Sequence, residues 1–219
     1  MFLGHYAAAL GAKKLAPYSS LGTLILAGQL SDLLWPTFLL QGAEEVRIVP
    51  NNPPLLRLDF VSYPWSHSLL MVTVWAGLFA ALYAFFRRYP RGTVAVAVLV
   101  LSHWVLDALS HRPDMPLAWW GGPLVGLGLW YSQTATIAVE ALLFGIGIWI
   151  YARHTEPVDK IGQYAFGGFV IVLVIAYTAS LLGPPPPDVT TLAWSAQGLW
   201  IFVVWGYFLD RHRVAARQW

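Results

Sequence analysis

Cysteine is missing from all 219 residues. The chain therefore has no disulfide framework, no thiolate nucleophile and no Cys-based zinc site, so any metal must be held by His, Asp and Glu. Charge is nearly as scarce. Asp, Glu, Lys and Arg make up 11% of the residues, whereas a soluble domain carries about 25%. The net charge is only +2, and the positives stand in short clusters between apolar runs. That pattern belongs to membrane topology and argues against a nucleic-acid partner. Long-period repeats and low-complexity linkers are also lacking, which predicts a single domain over 1–219. The opening residues, MFLGHYAAALGAKK, place their lysines after the apolar run. A cleaved signal peptide has the reverse order, so a retained N-terminus is expected.

What the chain has in quantity is apolar surface: 58% of its residues are hydrophobic and its mean hydropathy is +0.58. The runs predict an all-α integral membrane protein with about six transmembrane helices plus a short N-terminal helix. The short helix, residues 2–15, is ended by Pro17. At ~1.5 Å per residue it cannot cross a ~30 Å hydrocarbon core, and a partly inserted helix is expected. The spans are read at about 19–40, 65–86, 93–111, 133–152, 163–182 and 191–209. Asp32 interrupts the first, and Pro36 is expected to bend it. Residues 41–63 read as a polar extramembrane loop, and the Trp- and Gly-rich stretch LAWWGGPLVGLGLWYS as an interfacial one.

Six spans put Lys13, Lys14, Arg87, Arg88, Arg91, Arg153, Lys160, Arg211, Arg213 and Arg217 on one side, and only Arg47, Arg57 and Arg112 on the other. The basic side, with the C-terminus, is expected to be cytoplasmic.

Within this apolar chain, the stretch SHWVLDALSHRPDMP places His103, Asp107 and His111 at successive i, i+4 steps. On a helix all three share one stripe. Two imidazoles and a carboxylate are costly to bury among Leu, Val, Trp and Ala unless something binds them, and a divalent metal is the usual occupant. Counting at ~1.5 Å per residue from the cytoplasmic ends puts Asp32, Asp107 and Glu140 at roughly 20 Å, His103 at roughly 15 Å and His5 at roughly 12 Å. His67 and His111 fall nearer the outer surface. Convergence at one depth is what a site requires.

Each group also has a plainer explanation. His103 and Asp107 can glue two membrane helices by a polar contact, and Asp32 can be a buried hydrogen bond, although a carboxylate so deep is functional by default. His67, between Ser66 and Ser68, can be an interfacial residue. Glu140, the only charge in its span, can be a ligand, a general base or a helix-packing residue. Arg112 can bind a phosphate or be solvated.

The order of short motifs is telling: Gly4-His5, Ser31-Asp32, Ser66-His67-Ser68-Leu69, then Leu101-Ser102-His103 with Asp107 and Pro116-Leu117. It resembles the bacterial inner-membrane-bound metal-dependent hydrolases, membrane relatives of the zinc-dependent phospholipase C fold. The resemblance covers roughly residues 1–120, and residues 133–219 add three further transmembrane helices. It implies an inner-membrane location, a divalent metal site, zinc first, and hydrolysis of a phosphoester or similar bond. The implied ligands are His5, Asp32, His67, His103 and Asp107. Leu33 and Leu34 stand where the family continues with a second Asp and a His, and Ser62-Tyr63-Pro64-Trp65 where it has His-Arg-Gly.

The expected function is a membrane-bound, metal-dependent hydrolase acting from the extracytoplasmic side on a lipid or lipid-linked phosphate. The metal would polarise the scissile group and acidify a bound water. Asp107 or Glu140 would be the general base, and His111 or Arg112 would steady a leaving group or anionic substrate. One rival is a non-catalytic subunit of a membrane protein complex with the polar cluster as a staple; the missing family residues, Trp-rich surface and small loops favour it. A transporter or proton pathway is a third class, disfavoured by the absence of an internal repeat.

Overall fold

The computed structural model describes residues 1–216. Arg217, counted above with the basic side, lies outside the described residues. Ten helices dominate: α1 Phe2–Leu15, α2 Leu21–Gly28, α3 Leu30–Leu40, α4 Pro64–His67, α5 Leu69–Arg87, α6 Pro90–Ser110, α7 Gln133–His154, α8 Lys160–Leu182, α9 Val189–Ala196 and α10 Trp200–His212. Their starts follow from local chemistry. The side chains of Ser20, Ser68, Ser132, Asp159 and Asp188 each accept a hydrogen bond from a first-turn backbone N–H of α2, α5, α7, α8 and α9. Pro64 and Pro90 open α4 and α6, where a missing N–H costs nothing.

Five helical stretches are long and apolar enough to cross a membrane: α5, α6, α7, α8 and the run Val189–His212, in which a 3-10 turn joins α9 to α10. A sixth forms if α2 and α3 are one span, bent by 57°. The architecture is helical with five to six stretches that could cross a membrane, in keeping with the all-α fold that the hydropathy predicts. The bend, however, falls at Gln29 and not at Pro36, which lies inside α3. Gly28 weakens the helix at that point, and its carbonyl accepts from a buried side chain described below.

The short first helix is not peripheral. Leu3, Tyr6, Ala9 and Leu10 are buried, and α1 packs against α7, α2, α6 and α8. Small residues make this possible, because helices in lipid gain from close backbone approach. A Cβ on Gly147 of α7 would lie 2.7 Å from both Cα and the carbonyl oxygen of Ala7. Gly147→Ala is therefore expected to destabilise the fold by about 1–3 kcal/mol through overpacking. Thermal unfolding in detergent reads this, and an unchanged midpoint would contradict the close approach.

At the basic end, Lys13 donates to the Ser19 carbonyl at 2.7 Å and to Asp210 of α10 at 3.0 Å. Strand β5 (Thr155–Pro157) pairs antiparallel with β6 (Arg213–Ala215), tying the α7–α8 turn to the end of α10. At the other end, the stretch expected to be an irregular loop contains an antiparallel hairpin of β1 (Glu45–Ile48) and β2 (Leu58–Ser62). A two-residue pair, β3 (Met115–Pro116) with β4 (Leu124–Val125), follows α6 there.

Candidate metal centre

Helix α6 carries the nucleus of the site. His103 and Asp107 are one turn apart on its buried face, their nearest atoms, Nε2 and Oδ2, separated by 3.0 Å. Helix α1 runs antiparallel beside it and brings His5, whose Nε2 lies 3.1 Å from the other oxygen of Asp107 and whose ring stacks on His103 at 3.7 Å between centroids. The break between α2 and α3 delivers Asp32, and the single turn of α4 delivers His67. Asp32 Oδ1 is 3.4 Å from His67 Nε2 and 3.7 Å from His103 Nε2, while His67 Nε2 is 3.8 Å from Asp107 Oδ2. All five residues that the resemblance implied as ligands thus meet in one place. The Met1 nitrogen also reaches Asp107 Oδ1.

The orientation of the histidines says what the cluster suits. His103 Nδ1 lies 2.8 Å from the Gly28 carbonyl, which can only accept, so this nitrogen carries the proton. In the neutral ring its Nε2 is then a lone pair facing two carboxylates, with no hydrogen-bond partner among the described residues. His67 repeats the arrangement. Ser66 donates its hydroxyl proton to Glu44 Oε2 at 2.7 Å, leaving the Ser66 oxygen to accept from His67 Nδ1 at 2.6 Å. A lone pair aimed at a carboxylate is repulsive unless a proton or a metal ion lies between, and two such rings facing two carboxylates make a donor set that a metal ion can occupy. Metal-binding histidines are held this way, donating the second ring N–H to a carbonyl or a polar relay.

The spacing agrees. Bonds of ~2.1 Å in a tetrahedral site put ligand atoms ~3.4 Å apart, and the four histidine–carboxylate contacts that link His67 and His103 to Asp32 and Asp107 run from 3.0 to 3.8 Å. Two overlapping triads, His5–His103–Asp107 and Asp32–His67–His103, bring their donor atoms within 4.8 Å of one another. This buried group can hold a metal ion.

The chain matches no family model, no curated protein and no solved structure.

The remaining sequence candidates lie beside the cluster. Glu140, on α7, accepts from the Leu3 backbone N–H at 2.5 Å and so sits on the first turn of α1. A carboxylate is favourable there, where the helix dipole is positive. His111 ends α6, with Nδ1 3.0 Å from Asp114 and its ring 4.1 Å from that of Trp130. Burial pushes the His111 imidazole below its ordinary value. Burial alone would raise Asp114, but hydrogen bonds from His111, Arg112 and Tyr63 hold it below the usual carboxylate range. Arg112 is paired with both Asp114 and Asp59.

Two residues of the site have no role assigned from the sequence. Glu44 and Ser66 form the relay behind His67, with Glu44 also accepting from the Ser66 backbone N–H at 2.8 Å. Burial pushes the Glu44 carboxyl up, against the pull of His67 and of its Ser66 hydrogen bonds. Ser66 is adjacent to His67, which was a usable signal. Glu44 was not findable, since only the fold of the segment after α3 brings it there. Ser66→Ala is expected to weaken metal affinity about 10–100-fold, the usual cost of losing an outer partner. Competition titration measures this, and a change below twofold would show that Ser66 does not orient the ring.

Proposed function

We propose that this chain is a membrane-embedded, metal-dependent hydrolase of a phosphoester or lipid-type substrate, with Asp32, His67, His103 and Asp107 holding one divalent ion and His5 bracing Asp107. The observation that carries the reading is the pair of histidine Nε2 atoms, each in a ring whose Nδ1 is engaged by an outer partner and each turned toward two carboxylates. Two imidazoles with two carboxylates suit zinc.

The ion would supply Lewis-acid charge and acidify water at neutral pH. Around it the side chains divide the work. The side chains of His67, His103 and Asp107 are 5%, 1% and 3% exposed, while that of Asp32 is 28% exposed. The cluster therefore opens beside Asp32, and an open side distinguishes a catalytic site from a closed structural one. Asp32 contacts the cluster through Oδ1, which leaves Oδ2 to take a proton from an incoming water. Asp107 has both oxygens engaged and Glu140 is held by α1, so Asp32 is better placed as base than either. The site lies away from the basic end of the bundle. If that end is cytoplasmic, a lipid or lipid-linked phosphate would approach from the extracytoplasmic side of the inner membrane.

The rival reading, a non-catalytic subunit that binds membrane protein partners and keeps the ion as a staple, draws on Arg112. Its charge is already compensated by Asp59 and Asp114, which weakens its pull on a substrate phosphate. Activity separates the two. Purified protein should release phosphate or head group from detergent-solubilised lipid phosphoesters, lose this with chelator and regain it with zinc. A fully metal-loaded protein with no turnover across such substrates would assign it to the subunit class.

A further inference from the structure

Between α1 and α6, at the basic end of the bundle, runs a groove of about 730 Å³. Ala8, Ala12 and Leu15 form one wall, and Val94, Val98 and Leu99 form the other. Lys14 and Arg91 stand at its mouth, Ser102 closes the deep end, and no acidic side chain lines it. From Pro90 to Ser102 the helix rises about 18 Å, slightly more than the ~15 Å that one leaflet contributes to a ~30 Å hydrocarbon core.

At this end Lys13 is spent on Asp210 and Arg213 on Thr155, while Arg87, Arg88, Arg153, Lys160 and Arg211 are exposed without an ion pair among the described residues but do not line the groove. Lys14 and Arg91 are exposed, and neither makes an ion pair or side-chain hydrogen bond among the described residues. An apolar slot of leaflet depth with two unpaired positive charges at its headgroup end has the complement of one ligand. Basic pockets between membrane helices on the cytoplasmic side select anionic headgroups in this way.

We infer that the α1–α6 groove is a binding site for an anionic phospholipid, its acyl chain lying between the helices and its phosphate on Lys14 and Arg91. The site is separate from the metal centre, whose proposed substrate approaches nearer the opposite end of the bundle. The lipid would brace α1 against α6, the two helices that supply His5, His103 and Asp107.

Delipidated full-length protein in neutral detergent, titrated with phosphatidylglycerol or phosphatidylcholine of equal chain length and followed by native mass spectrometry, tests this. Wild type should prefer phosphatidylglycerol by tenfold or more. The Lys14→Gln/Arg91→Gln double variant should lose about 10–30-fold in phosphatidylglycerol affinity, while Arg153→Gln, at the same end but outside the groove, retains it. Val98→Trp, which fills the groove from an exposed position, should weaken both lipids. Unchanged affinity in the double variant would overturn the proposal. So would displacement of the lipid by an equal concentration of inorganic phosphate, which would mark a free-anion site. A wild-type dimer that Val98→Trp dissociates without altering lipid binding would also overturn it, making the groove an interface between copies.

Discussion

Asp107→Asn is expected to abolish high-affinity metal binding and to cost the fold about 3–5 kcal/mol, the penalty for removing one partner from a buried set of charges. Asp107 is the hub of the cluster. One oxygen meets His5 and the Met1 nitrogen, and the other meets His103. The amide keeps the shape but removes the negative charge that offsets an ion, and it turns an NH2 toward a ring nitrogen or the Met1 nitrogen. Losing an outer partner already costs 10–100-fold in affinity, so loss of this carboxylate should exceed 100-fold. The measurements are a competition titration for the metal and thermal unfolding with and without it. Retention of wild-type affinity would show that Asp107 is only a helix-packing group.

Metal removal should have the next largest effect. An ion present at about 1,000 times its dissociation constant stabilises the folded state by about 4 kcal/mol. For a chain of this length, that moves the unfolding midpoint by roughly 8–16 °C. Stripping the protein with a chelator should therefore lower the midpoint by this much, and added zinc should restore it. Magnesium should do so poorly, because it demands octahedral oxygen coordination and two of the four proposed donors are imidazoles. Acidification should weaken the effect, since protons compete for the same ring nitrogens. A midpoint indifferent to chelator and to zinc would mean that carboxylates and imidazoles stabilise the cluster without an ion.

The helices were legible in the sequence because their chemistry is local. The hydropathy runs, the serine and aspartate caps and the proline stops mark α5 through α8 closely. The core of the site was legible for a similar reason. His103 and Asp107 lie at i, i+4 on one helix, and counting depth along antiparallel segments brings Asp32 and His5 to their level. What the sequence hid depends on tertiary placement. Pro36 reads as the obvious hinge, yet the chain bends at Gln29, where the Gly28 carbonyl meets His103. Glu140 reads equally as a ligand, a general base or a helix-packing residue, and its contact with α1 becomes visible only once α1 is known to pack inside the bundle against α7. Glu44 reaches Ser66 across 22 residues through the hairpin, a path that no periodicity records.

The effects expected of Asp107→Asn and of metal removal both depend on a divalent ion held where the imidazoles and carboxylates converge. Elemental analysis of the purified protein, wild type beside His103→Ala, tests for that ion most directly. About one zinc per chain is expected in the wild type, with most of it lost in the variant, because His103 belongs to both candidate triads. No zinc, manganese or iron above trace in the wild type, together with unchanged thermal stability in His103→Ala, would contradict it.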